Sequence, residues 1–386
     1  MKLAEVNQCT GCWACVSACP KQCIRMERDS AGFPHPAADK TKCVNCGLCE
    51  KVCPVLKKIE THGSAPVAYA AYSRDKVTRL ESSSGGIFSE LAQAVIAKGG
   101  VVYGAAYNEQ FDVVHICAES KTELARLRGA KYVQSDLGNT LVEVKGRLEK
   151  GQQVLFSGTP CQVAGLKCFL QKNYNNLSTV DFVCHGVPSP AVWKEYVKYR
   201  AQQDNCGRLP TSINMRSKET GWSRYRYSNL FQYQNGSYRV RSGESLFMKL
   251  FVGDFISRES CSECHFKGFN RCSDLTIGDF WGIWDIAPEM DDDAGTSVIL
   301  CQSARGAELL NEISEKLVLR EVSLEEASQY NSSMLTSSHP NPKRQSALDT
   351  IIKGNIAECE GWFLPPKRTL VQKLWSITSR LRKKGE

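Results

Sequence analysis

Eight cysteines in two copies of one pattern constrain this chain more than any other feature. Cys9, Cys12, Cys15 and Cys19 precede Pro20, and Cys43, Cys46, Cys49 and Cys53 precede Pro54. Both runs read C-x2-C-x2-C-x3-C-P, a ligation spacing for paired 4Fe-4S cubes. Three thiolates with two residues between each wrap one face of a cube. The fourth, set before the proline, lies too far round and serves the other cube. The spacing therefore predicts one cluster on Cys9, Cys12, Cys15 and Cys53, and a second on Cys43, Cys46, Cys49 and Cys19. So short a segment buries little apolar surface, and cluster assembly must supply folding energy. The rival readings are weaker: a disulfide framework needs an oxidising compartment, and zinc knots rarely use this triple spacing. Cys23 stands outside the pattern.

With 386 residues and 42% hydrophobic content, the chain predicts further globular domains behind the cysteine segment. No apolar run approaches membrane-span length, and the start, MKLAEVNQ, carries no hydrophobic signal core. Nineteen cysteines without such a signal point to a reducing, cytoplasmic setting. The formal charge of +8 counts thiols as neutral. Each cube with four thiolates is about −2 overall, so clusters offset much of that excess. The basic balance therefore gives no reason to expect nucleic acid. It fits an anionic cofactor or an acidic electron-carrier protein.

Residues 1–60 read as a two-cluster 4Fe-4S domain, with a polar Gly/Pro linker from Lys57 to Pro66. Beyond it the texture alternates strands and helices. Strands are expected at Val67–Ser73, Val101–Tyr107, Val113–Glu119 and Ser297–Gln302, and helices at Ser82–Lys98 and Thr140–Lys150. Val154–Ser157, Pro160–Lys172 and Thr179–Cys184 form a βαβ unit, which predicts parallel strands. Ser189-Pro190 starts a helix, Asn235-Gly236 centres a hairpin, and a helix follows from Gly306. The fold class is α+β or α/β: a bacterial ferredoxin-like dicluster domain fused to a mixed α/β domain.

Cys161 and Cys184 each fall just past a strand of the βαβ unit. Parallel strands bring their carboxyl ends to one side of the sheet, where open α/β folds place their sites. With the C-x2-C of Cys261 and Cys264 they make a candidate third cluster, for which Cys272 is a competing fourth ligand. Zinc on Cys261, Cys264, Cys272 and His265 is an alternative, as are ordinary buried thiols.

Clusters move single electrons, and a flavin joins them to two-electron chemistry. Ser82-Ser83-Ser84-Gly85-Gly86 is the candidate cradle, since glycine admits a phosphate to the backbone and the following helix aims N–H groups at it. A serine-rich helix cap looks the same. Lys131, Tyr132 and Ser135 offer a cation, a ring and a hydroxyl. No G-x-G-x-x-G is present, and no pair of titratable groups marks a catalytic acid or base.

The segments SSSGGIFSEL, AKYVQSDLG, VLFSGTPCQVAGL, DFVCHGVPSP and CSECHFKGFNRCSDLTIGDFWG resemble the coenzyme F420 hydrogenase/dehydrogenase beta-subunit family, from about Val67 to at least Trp281. The resemblance implies an FAD-containing iron–sulfur oxidoreductase and makes the mixed α/β domain a flavin/iron–sulfur domain. Electrons would pass between clusters and flavin, and on to or from an organic hydride acceptor such as a coenzyme F420-like compound. It makes Ser83, Ser84, Gly85 and Gly86 flavin-loop residues and adds Lys131, Tyr132 and Ser135 to that site. It prefers Cys161, Cys184, Cys261 and Cys264 as the third-cluster set and leaves Cys272 out. On this resemblance 67–145 and 146–320 are the two parts of the family domain, and 321–386 is a helical extension. The GDFWG ending and the extension are similar to bacterial members, so the family name does not stand for a substrate. The rival reading is a non-catalytic electron-transfer subunit. Either implies a protein partner such as a ferredoxin or a larger redox complex. Leu370–Lys384 reads as a basic amphipathic helix, suited to membrane contact or to packing on its own domain.

Overall fold

The computed structural model describes residues 1–57 and 59–363, so the basic segment 370–384 lies outside the described residues. The strands, in chain order, are β1 (Ile24–Arg28), β2 (Pro34–Ala38), β3 (Val67–Ser73), β4 (Val101–Tyr107), β5 (Val113–Ala118), β6 (Val154–Gly158) and β7 (Leu177–Phe182). They continue with β8 (Ser212–Ser217), β9 (Ser228–Tyr233), β10 (Gly236–Arg241), β11 (Leu275–Asp279), β12 (Ser297–Cys301) and β13 (Leu317–Val322).

β1 and β2 pair antiparallel beside the two short cysteine helices Ala14–Ser17 and Leu48–Lys51. The body is an eight-stranded mixed sheet, ordered β13-β3-β12-β11-β7-β6-β4-β5. β4, β6, β7 and β11 run parallel, with antiparallel strands on both flanks. The sheet draws strands from both 67–145 and 146–320, and β13 spans residue 320.

Alternation along the strands explains the layers. Val101, Tyr103, Val154 and Phe156 face one side and pack on the helices Thr140–Glu149 and Pro160–Leu170 through Leu141, Val144, Val163 and Leu166. Val102, Leu155, Val180 and Leu275 face the other, against Ile87, Leu91 and Val95 of the helix Ile87–Ala97. Strands buried on both faces read as nearly continuous apolar runs, and that is the texture of the parallel core. A smaller sheet, β10-β9-β8, packs Phe231 against Trp193, Tyr196 and Phe247 of neighbouring helices.

The expected helix from Ser82 begins five residues later, at Ile87. Ser84 at φ 50° and Gly86 at φ 85° are left-handed, and Gly86 is the N-cap. Ser82 instead ends the preceding helix Lys76–Glu81. The helix Pro190–Asn205 starts as expected, with the Ser189 hydroxyl accepting from Val192 N.

Candidate functional site

The N-terminal cysteines surround two hollows. One is lined by Cys9, Cys12, Cys15 and Cys53. The other is lined by Cys19, Cys43, Cys46 and Cys49. This is the crossed grouping that the spacing predicts. The thiols ring a cavity instead of meeting at a point, which suits a cube more than a single ion. All nineteen cysteines are free thiols. Cys23 also lines the second hollow, with its Sγ 3.4 Å from that of Cys19.

The surroundings of the two hollows differ. Burial raises the Cys15 thiol to about 12. Burial also acts to raise Cys9, but a hydrogen bond from His35 and the Arg258 charge outweigh it and leave that thiol below its usual pKa. The second hollow opens outward: Cys46 and Val44 are exposed beside it.

Cys161 and Cys184 leave the carboxyl ends of the parallel neighbours β6 and β7. Thr159 caps the helix Pro160–Leu170 in a reciprocal box with Gln162, which holds Cys161 in the first turn. Cys261 and Cys264 arrive on the loop before β11, and the four thiols feel one another's charge. Burial lifts Cys161, Cys184 and Cys261 to about 12 each, a desolvation cost that iron ligation would offset. Cys272 lies elsewhere, among Lys167, Asp181 and Cys168.

The flavin candidates divide. Gly85 is nested within the protein: a Cβ there would sit 2.3 Å from the Ala71 carbonyl oxygen and 3.0 Å from Ser297 N. Its smallness therefore serves strand packing, and its N–H is already given to Ser297 Oγ at 2.9 Å. Lys131 Nζ is spent on the carbonyls of Arg126, Arg128 and Gly129, and Ser135 accepts from Gln162. Ser84 and Tyr132 do converge. The Ser84 hydroxyl donates to Asp279, and Arg216 joins Asp279 (2.8 Å) to the Tyr132 hydroxyl (2.6 Å).

Arg216, Lys218 and Asp279 are the residues that sequence reasoning missed. The signal was two alternating cations, Arg216 near the end of β8 and Lys218 just past it, in MRSKE. Lys218 Nζ bonds the carbonyls of Arg79 and Ser84. Burial, with the Arg79 and Arg216 charges, lowers Lys218 to about 7. Among the described residues, Ser83 Oγ and Arg216 Nε are buried without partners, and the helix Ile87–Ala97 has no side-chain cap. Val183, next to Cys184, packs on Gly278, next to Asp279, so this cluster adjoins the third thiol set.

His185 is engaged structurally, between Asp254 (2.9 Å) and Ser333 (3.2 Å). Trp281 stacks within an aromatic group with Trp222 and Tyr227.

Residues 8–56 match a 4Fe-4S dicluster domain. Residues 151–327 match the family described as the carboxyl-terminal part of the coenzyme F420 hydrogenase/dehydrogenase beta subunit. The chain is 26% identical over 189 residues to a subunit of the F(420)H(2) dehydrogenase of Methanosarcina mazei, covering 45% of this chain and 52% of that protein. It is 38% identical over 61 residues to a ferredoxin-like protein in the nif region of Azotobacter vinelandii, covering 14% and 61%. The chain thus spans 52% to 61% of the lengths of these relatives. A chain from the F420-reducing [NiFe] hydrogenase complex of Methanosarcina barkeri aligns with TM-score 0.46 and 13% identity, over 79% of this chain and 94% of that one.

Proposed function

We propose that this chain, which joins a 4Fe-4S dicluster domain to a coenzyme F420 hydrogenase/dehydrogenase beta-subunit region, is an iron–sulfur oxidoreductase subunit with three 4Fe-4S clusters and one FAD. The observation that carries the reading is the grouping of twelve cysteines into three sets of four, two around hollows and one at the ends of parallel strands. The clusters would supply one-electron transfer, and FAD would connect it to hydride exchange with an organic acceptor or donor. The unpartnered Ser83 hydroxyl and Arg216 Nε, with Lys218 and the uncapped helix start beside them, offer donors that suit an anionic cofactor. The relatives' names support a redox-protein partner and a substrate of the coenzyme F420 kind. A reducing, cytoplasmic setting fits nineteen free thiols, and no helix among the described residues is long and apolar enough to cross a membrane. An electron-transfer protein without flavin is the second reading, favoured by the filled space beside Gly85.

Iron, sulfide and flavin counted after anaerobic reconstitution test this. About twelve iron atoms and one FAD per chain are expected. Cys161→Ser or Cys264→Ser should lose about four iron atoms and keep the signals of the other two clusters. About eight iron atoms in the unaltered chain would remove the third cluster. Iron without flavin would select the second reading.

A further inference from the structure

Arg258 is 3% exposed, and its side chain reaches out of the large domain. Nε donates to the Cys9 carbonyl at 2.7 Å. One Nη donates to Gln134 Oε1 at 2.9 Å and the other to the Pro34 carbonyl at 3.0 Å. Gln134 in turn donates to the Thr10 carbonyl at 3.0 Å. The backbone carbonyl of Arg258 accepts from Cys261 N at 3.1 Å, so the residue opens the turn that carries the third thiol set. Its guanidinium charge acts on Cys9, Cys261, Asp29 and Cys161 together.

A second contact joins the same two sites. Cys161 and Gly165 lie four residues apart on the helix Pro160–Leu170, about 6 Å along its axis. The Cβ position of Gly165 is 2.9 Å from Cys12 Sγ. The first and third thiol sets therefore share one helix, while the second opens at the surface beside Cys46.

We propose that Arg258 is the positioning residue of an inner junction. It holds the Cys9/Cys12/Cys15/Cys53 site and the Cys161/Cys184/Cys261/Cys264 site in fixed register, and one buried positive charge favours the more negative, reduced state of a cluster at each. The first set is then the inward terminal of the ferredoxin module and the second its outward face. The inference rests on the reading that both inner sites hold 4Fe-4S clusters. It goes beyond that reading by naming the residue that couples them. A buried guanidinium fork suits this task because it is always charged and fixes several acceptors at once.

Arg258→Met, Arg258→Lys and Gln134→Leu, loaded anaerobically beside the unaltered chain, test it. Iron is counted first, and a potentiometric titration is then followed by electron paramagnetic resonance. Arg258→Met should keep its iron, shift the midpoint potentials of both inner clusters downward, leave the outer cluster unshifted and weaken the magnetic interaction between the inner pair. Arg258→Lys should recover most of the potential shift and little of the interaction. If Arg258→Met does not retain iron, Gln134→Leu, which touches no ligand side chain, should still weaken the interaction. Unshifted potentials with an intact interaction in the iron-loaded variants would overturn the role of Arg258 alone. An unaltered chain that takes up no iron would instead overturn the functional reading beneath it.

Discussion

Arg271→Met should cost about 3–5 kcal/mol of stability, the range for removing one partner of a buried ion pair. Arg271 and Asp181 have side chains only 2% and 1% exposed, with N and O 3.4 Å apart. Burial raises the Asp181 pKa, and the Arg271 charge opposes that rise. Without Arg271, Asp181 is left as a buried, unpaired carboxylate whose pKa climbs further. A carboxyl whose folded pKa lies above its unfolded value binds more protons when folded, so the deficit should be largest near neutral pH and shrink on acidification. Arg271 also donates to the Phe182 carbonyl at 3.2 Å, two residues before Cys184. The third thiol set should therefore loosen first, with iron lost from it ahead of global unfolding. Anaerobic urea unfolding with parallel iron counts measures both. A loss under about 1 kcal/mol, the ordinary worth of an exposed pair, would show that the pair is not buried as described. The Asp181→Leu/Arg271→Met double variant should recover part of the loss, because the costly species is the lone charge.

Gly165→Val should detach the ferredoxin module from the body. An added Cβ would lie 2.7 Å from Cys12 Cβ, 2.9 Å from its Sγ and 3.2 Å from its carbonyl oxygen. Overpacking of this kind costs about 1–3 kcal/mol. Replacing glycine in a helix interior ordinarily helps by up to about 1 kcal/mol, so a net loss reports the interface and not the helix. Cys12 cannot retreat freely, since it must stay in register with Cys9, Cys15 and Cys53 around their hollow. Faster proteolysis in the 57–66 linker and a lost magnetic interaction between the inner clusters are the expected readouts. An unchanged cleavage rate with all iron retained would mean that the contact does not hold the module.

The candidate cluster cysteines were the most legible part of this chain, because the spacing of such ligands is set locally by the size of a cube. Eight cysteines could be sorted into two crossed sets before any tertiary contact was known. Cys161 and Cys184 were legible one level up, since parallel strands bring their carboxyl ends together. The helix start at Ser82 was misplaced because Ser84 and Gly86 take left-handed conformations that the serine run does not announce. Lys131 suggested a ligand contact, yet its ammonium closes the three carbonyls around the end of a helix. Arg258, Gln134 and Gly165 were invisible to sequence reading. Each matters through a partner more than a hundred residues away, and nothing in its own neighbourhood marks it.

The outward opening beside Cys46 also decides how this protein should age in air. Oxygen and peroxide reach exposed sulfur first, so oxidation begins at the rim while the buried thiols of Cys9 and Cys12 stay shielded. With the clusters seated as proposed, a damaged molecule would keep its shape, its colour in part and its deeper chemistry, and lose only the terminal through which the outside world reaches them.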